Sequence, residues 1–102
     1  MKVQVNGKEY DVRFRRIYRK NSKADGTNNC PEGFLIDTSC SIKEVKNGVA
    51  PKEWRLVSKD FSELSLKDKF SKKEGQKIAL ALAVKKFPKK QRINFWNKFL
   101  KK

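Results

Sequence analysis

A length of 102 residues suffices for one domain and falls short of two. Lysine and arginine number 26 against 11 aspartates and glutamates, giving a formal charge of +15, which predicts an anionic partner. Histidine is absent and Cys30 and Cys40 are the only cysteines, so Ser-His and Cys-His nucleophile pairs and a four-ligand Cys/His zinc site are excluded.

The opening "MKVQVNGKEY" has no secretory apolar core, and no apolar run nears the roughly 20 residues that span a bilayer. A cytoplasmic protein with no membrane contact is expected. There the two cysteines stay free thiols, although their spacing allows a disulfide. Asn6-Gly7 between alternating segments reads as a two-residue type I′ hairpin. Its register sets Val5 opposite Lys8, Val3 opposite Tyr10 and Met1 opposite Val12. Met1, Val3, Val5, Tyr10, Val12 and Phe14 then share one face, and Lys2, Asp11, Arg13 and Arg15 the other. "RKNSKADGTNNCPEG", residues 19–33, has no periodicity and reads as a long mobile loop.

"FLIDTSCSIKEV" alternates again, with Ile36, Thr38, Cys40 and Ile42 on one face. A three-residue turn, Lys46-Asn47-Gly48, with Gly48 left-handed in a G1 bulge, keeps the faces consistent. It sets Cys40 opposite Trp54 and Thr38 opposite Leu56, which makes Trp54 a core residue. Pro51 puts the start of this last strand at an edge.

The rest of the chain reads as helical. Ser65 with Asp68 and Ser71 with Glu74 fit the [ST]-x-x-[DE] capping pattern. The apolar run Ile78–Val84 alternates like a strand. Its three alanines favour a helix instead, and Pro88 stops it, so residues 71–87 are expected as a helix buried on all sides in its middle. Pro88 suits the first turn of a second helix. There Ile93, Phe95, Trp96, Phe99 and Leu100 fill one arc, opposite Lys90, Gln91, Asn94, Lys98, Lys101 and Lys102. The expected fold is α+β: a four-stranded antiparallel sheet of two hairpins (residues 1–60) with two C-terminal helices on one face, the basic helical part covering residues 65–102 of a single domain.

Charge is uneven along the chain. Residues 1–65 carry 13 basic and 9 acidic groups, and residues 66–102 carry 13 and 2, so an anionic partner is expected mainly on the C-terminal part. Three clusters are candidate contacts. Lys72, Lys73 and Lys77 stand at a helix start, where the macrodipole opposes cations and free N–H groups attract anions. Lys85, Lys86, Lys89, Lys90 and Arg92 surround the interhelical corner, and Arg13, Arg15, Arg16 and Arg19 form an arginine cluster able to grip phosphates. The plain alternative for each is a solvated, solubilising surface. The aromatics near the corner read as core, so phosphate contact is expected there rather than base stacking. Tyr18, beside the arginines, either stacks or completes the core. No phosphate-loop motif is present and Asp37, Glu44, Glu53 and Asp60 have no paired spacing. Hence no catalytic residue, metal or cofactor is expected, and the chain reads as a non-enzyme.

Two motifs carry a resemblance. "NGKEYDVRF", Asn6 to Phe14, and the D-x-F-x-K-x-x-G-[RQ]-x-x-A-L pattern from Asp68 to Leu80 resemble a family of small uncharacterised basic proteins encoded by phages and prophages. The resemblance implies the cytoplasm of an infected or lysogenic bacterial host, and a protein that binds nucleic acid or inhibits a host or anti-phage defence protein, the anti-CRISPR type included. Two functions are therefore expected. The first is binding of the DNA or RNA backbone without strong sequence readout. The second is inhibition through an acidic or nucleic-acid-binding protein, by direct contact or by occupying its nucleic-acid groove.

Overall fold

Asn6 and Gly7 form the turn that their residue types favour. In the computed structural model, which describes residues 1–101, both have positive φ, 51° and 77°. They join β1 (Lys2–Val5) to β2 (Lys8–Lys20) with Val5 opposite Lys8 and Val3 opposite Tyr10, as the alternation predicts. Met1 extends the ladder, exchanging two 2.8 Å backbone hydrogen bonds with Val12. A Cβ on Gly7 would meet no atom within 4 Å, so a larger residue costs backbone strain alone. Gly7→Val is expected to lower stability by about 1–2 kcal/mol. A thermal melt with an unchanged midpoint would show that the turn does not need glycine.

From Tyr10 to Lys20, β2 pairs with β3 (Phe34–Glu44), with Phe14 opposite Cys40. Arg19 and Lys20 thus belong to the strand, which corrects the expected start of the loop. Residues 21–33 then close on themselves: Asn21 N–H donates to Gly33 O (2.8 Å) and Gly33 N–H to Ala24 O (3.0 Å). The side chains of Asn21 and Asp25 cap nearby N–H groups. Ala24, Asn28 and Cys30 are buried, and Phe70 N–H donates to Asn28 O (2.9 Å), tying the loop to the chain before the first helix.

The expected register of the last strand is wrong. β4 is Arg55–Ser62, with Cys40 opposite Asp60 and Thr38 opposite Ser62. Gly48 does adopt a left-handed φ of 79°, but Pro51 then starts a 3₁₀ turn, Pro51–Glu53, instead of a strand. Proline has no N–H for a ladder and its fixed φ suits the first position of a helical turn. The connection is therefore long, and the register bulge falls between Ile42 and Lys43. The sheet is a meander, β1-β2-β3-β4.

Two helices, α1 (Lys72–Ala83) and α2 (Lys89–Leu100), cover one face, α1 on β3 and β4 and α2 on β1. The Ser71 hydroxyl caps α1 by accepting from Glu74 N–H (3.4 Å). Residues 65–68 form a turn rather than a helix, in which the Ser65 hydroxyl donates to the Asp68 carboxylate (2.7 Å). Gly75 lets α1 approach β3 closely, since a Cβ there would collide with Thr38 Oγ1 and stand 3.1 Å from its Cβ. Ser58 Oγ donates to Ala83 O (2.6 Å) at the other end of the helix. Ala79, Leu80 and Ala83 are buried, whereas Ile78 is 49 % exposed. A two-layer domain has nothing outside α1, so its apolar middle is covered on one side and not on all. After a 3₁₀ turn, Val84–Lys86, Pro88 takes the N-cap of α2 and its carbonyl accepts from the N–H groups of Gln91 and Arg92.

The core joins Val3, Val5, Tyr10, Val12, Cys40 and Ile42 of the sheet to Leu80, Val84, Phe87 and Phe95 of the helical layer. Trp96 and Phe99 pack at its margin, Phe99 against Phe14. Ile93 and Leu100 remain exposed, because α2 rests on the four-residue β1 at the sheet's edge, which offers little width to cover. Lys102 lies outside the described residues.

Candidate functional site

The face of the sheet away from the helices carries no helix among the described residues: its β3 end is covered at Leu35 and Asp37, where Asp37 accepts from Leu64 N–H (2.9 Å), and it opens toward Ser41 and Lys43. Strand alternation puts Arg13 and Arg15 of β2 there, beside Ser41 and Ser39 of β3, which in turn face Lys59 and Phe61 of β4. Short serines between long cationic side chains leave a groove of about 560 Å³. Ser39 and Ser41 lie among Arg13, Arg15, Lys43, Leu56 and Lys59 in its lining, together with Pro51, Lys52 and Trp54 from the turn before β4. Asp11 is the only acid lining it. Its carboxylate is spoken for, accepting from Arg13 Nε (2.8 Å) and standing 4.0 Å from the N-terminal ammonium. Arg15, Lys43, Lys52 and Lys59 have no side-chain partner among the described residues. Clustered cations of this kind build a local positive potential.

Trp54 is the departure from expectation. The altered register takes it out of the core and into the groove lining. Its indole N–H donates to Lys46 O (3.2 Å) and Val49 O (3.1 Å), which fixes the ring, and the Lys2 ammonium stands 5.8 Å from the ring centroid.

Because β1 is short, the outer edge of β2 beyond Val12 has no strand beside it among the described residues. Cationic side chains there discourage edge-to-edge pairing, and they do more. Arg15 lines both the groove and a second cleft of about 470 Å³, formed with Phe14, Arg16, Thr38, Phe70, Lys72 and Gln76. The Arg16 guanidinium lies 5.4 Å from the Phe70 ring centroid. One basic path thus runs from the open face, over the edge of the sheet, to the start of α1.

The structure therefore brings together Arg13, Arg15, Arg16 and Lys72 from two sequence clusters. It does not gather the others. Arg19 is engaged internally, bidentate to Asp37 (3.0 and 3.3 Å) and donating to Leu64 O (2.6 Å); the bond to Asp37 raises its pKa above the ordinary value. Arg92 donates to Phe87 O (2.8 Å) and Lys85 O (3.4 Å), securing the turn between the helices. Lys73, Lys77, Lys85, Lys86, Lys89 and Lys90 are exposed on the helical layer and line neither cavity. Lys43, Lys52, Lys59 and Trp54 are the groove residues that sequence reasoning missed. Strand alternation signals Lys43 on β3, and Lys59 once the register of β4 is known; Lys52 and Trp54 lie in the turn before β4, where alternation gives no signal.

Cys30 and Cys40 are both free and buried. Burial, followed by the charge of Asp60, pushes the Cys40 thiol up to about 12, so it stays protonated at neutral pH. Among the described residues no cluster of three or more Cys, Asp or Glu could hold a metal ion, and no helix is long and apolar enough to cross a membrane. Comparison with family models, with curated proteins and with solved structures gives no match.

Proposed function

We propose that the protein binds the sugar-phosphate backbone of nucleic acid without strong sequence readout. The observation that carries this reading is the groove on the open sheet face, where four cations without internal partners surround a serine floor and the only acid is already paired. Phosphates satisfy such cations without asking for a base identity. The path over Arg15 to Arg16 and Lys72 lengthens the track and supports contact with several successive phosphates.

A protein partner is the second reading, as for a phage inhibitor of a host or defence protein. Ile17, Leu56 and Phe61 favour it, being large apolar side chains left exposed by β2 and β4. Salt dependence separates the two. If Arg15, Lys43, Lys52, Lys59 and Lys72 each meet a phosphate, affinity for random-sequence duplex should fall with a log–log salt slope of about −4.5, or about −3.5 for a single strand. A pull-down that captures a protein equally well from nuclease-treated lysate, with affinity insensitive to salt, would instead establish the protein partner.

A further inference from the structure

Phosphate contact alone leaves Trp54 without a purpose. Large aromatic rings seek the core, yet this one is half-buried and lines the groove together with Lys43, Lys52 and Lys59. Two carbonyls hold its N–H, so the ring is already oriented and a ligand stacking on it loses little additional entropy. The Lys2 ammonium stands over the ring, 5.8 Å from its centroid, so a stacked base would take the place of that side chain. That lysine is 59 % exposed and its other partner, Glu9, is at 3.8 Å, so it can swing aside or turn to a phosphate. The groove that the ring helps to line, about 560 Å³ as a whole, lies within the range of small-ligand pockets and has room for a base with its sugar. Cations beside a fixed ring are the combination used to hold unpaired strands.

We infer that the ligand is single-stranded nucleic acid, with a base stacked on Trp54 while Lys43, Lys52 and Lys59 hold the flanking phosphates. This rests on the backbone-binding reading above and narrows it. In a duplex the bases are paired and stacked on each other, so only an unpaired strand can present a base face to the ring. Stacking tolerates every base, so the absence of strong sequence readout is retained.

The test compares three ligands on the full chain: oligo-dT of roughly twelve nucleotides, an abasic strand of the same length and charge, and oligo-U, which reports on the sugar. With Trp96→Phe as background, emission comes from Trp54 alone. Oligo-dT, oligo-U or both should bind about tenfold or more tightly than the abasic strand and quench that emission. Trp54→Ala should bring base-bearing and abasic strands to the same affinity with the salt slope unchanged, and Trp54→Phe should keep most of the preference. Equal affinity of the parent for base-bearing and abasic strands would overturn the stacking inference and leave the backbone reading standing, and this comparison needs no variant to fold. A preference that survives in a folded Trp54→Ala protein would overturn the assignment to Trp54. Binding to none of the strands and to no duplex would overturn both readings.

Discussion

Phe95→Ala is expected to cost about 4 kcal/mol, a large part of the ~5–15 kcal/mol that holds a domain together. Phe95 is fully buried. Its ring lies 4.8 Å from Phe87 and 6.0 Å from Tyr10 between centroids, and Tyr10 meets Phe87 edge-on at 5.4 Å. The three rings belong to α2, to the turn after α1 and to β2, so removing one leaves a cavity whose walls are anchored on separate elements. Such a site collapses poorly, and the cost rises with the volume left empty. The loss also loosens α2, which otherwise rests mainly on β1. A urea titration measures the effect, and Ile93→Ala supplies the comparison. Ile93 sits on the same helix and the same apolar arc of the sequence, but is 53 % exposed, so its truncation should change stability by no more than about 0.5 kcal/mol. Equal losses from the two variants would mean that the arc is buried as a whole, contrary to the packing described.

That contrast marks how far the sequence could be read. The first hairpin was legible because turn chemistry at Asn6-Gly7 and the alternation on both sides give the same register without help from the rest of the molecule. The helical state of α1 was legible for a similar reason, since alanine preference and Pro88 are local signals. Which sides of α1 and α2 are covered was not, because that depends on the number of layers and on the width of β1. Ile78, Ile93 and Leu100 look like core residues in sequence and are exposed in the fold. The strand β4 failed at Pro51, where a turn residue lengthens a connection that alternation alone would shorten. That error carried Trp54 with it. The site suffered most, since its cations come from β2, from β3, from β4 and from the turn before β4, and only strand pairing puts them side by side. Charge counting favoured the C-terminal third instead. It could not show that Arg19 is engaged by Asp37, 18 residues away, or that Arg92 is engaged by the carbonyls of Phe87 and Lys85.

Converting Arg15, Lys43, Lys52 and Lys59 to glutamine together is expected to abolish most nucleic-acid affinity while leaving the fold intact. Each of the four meets one phosphate in the proposed complex, so the salt slope should flatten by about 2.8 on a single strand, or by about 3.6 on duplex. Affinity at low salt should drop by about a hundredfold or more. Stability should hold or rise slightly, because none of the four has an internal partner to lose and like charges are drawn apart. The matching control removes four charges elsewhere: Lys85, Lys86, Lys89 and Lys90, at the corner between α1 and α2, to glutamine. Both variants fall from +15 to +11. If net charge alone governs binding, the two weaken equally. If the groove is the site, the corner variant keeps nearly all of its affinity and slope, having lost only long-range attraction that salt screens over a Debye length of about 10 Å at 0.1 M. Loss in the corner variant with retention in the groove variant would move the site to the helical layer, and the open face of the sheet would then be left to its exposed Ile17, Leu56 and Phe61 and the partner they would suit.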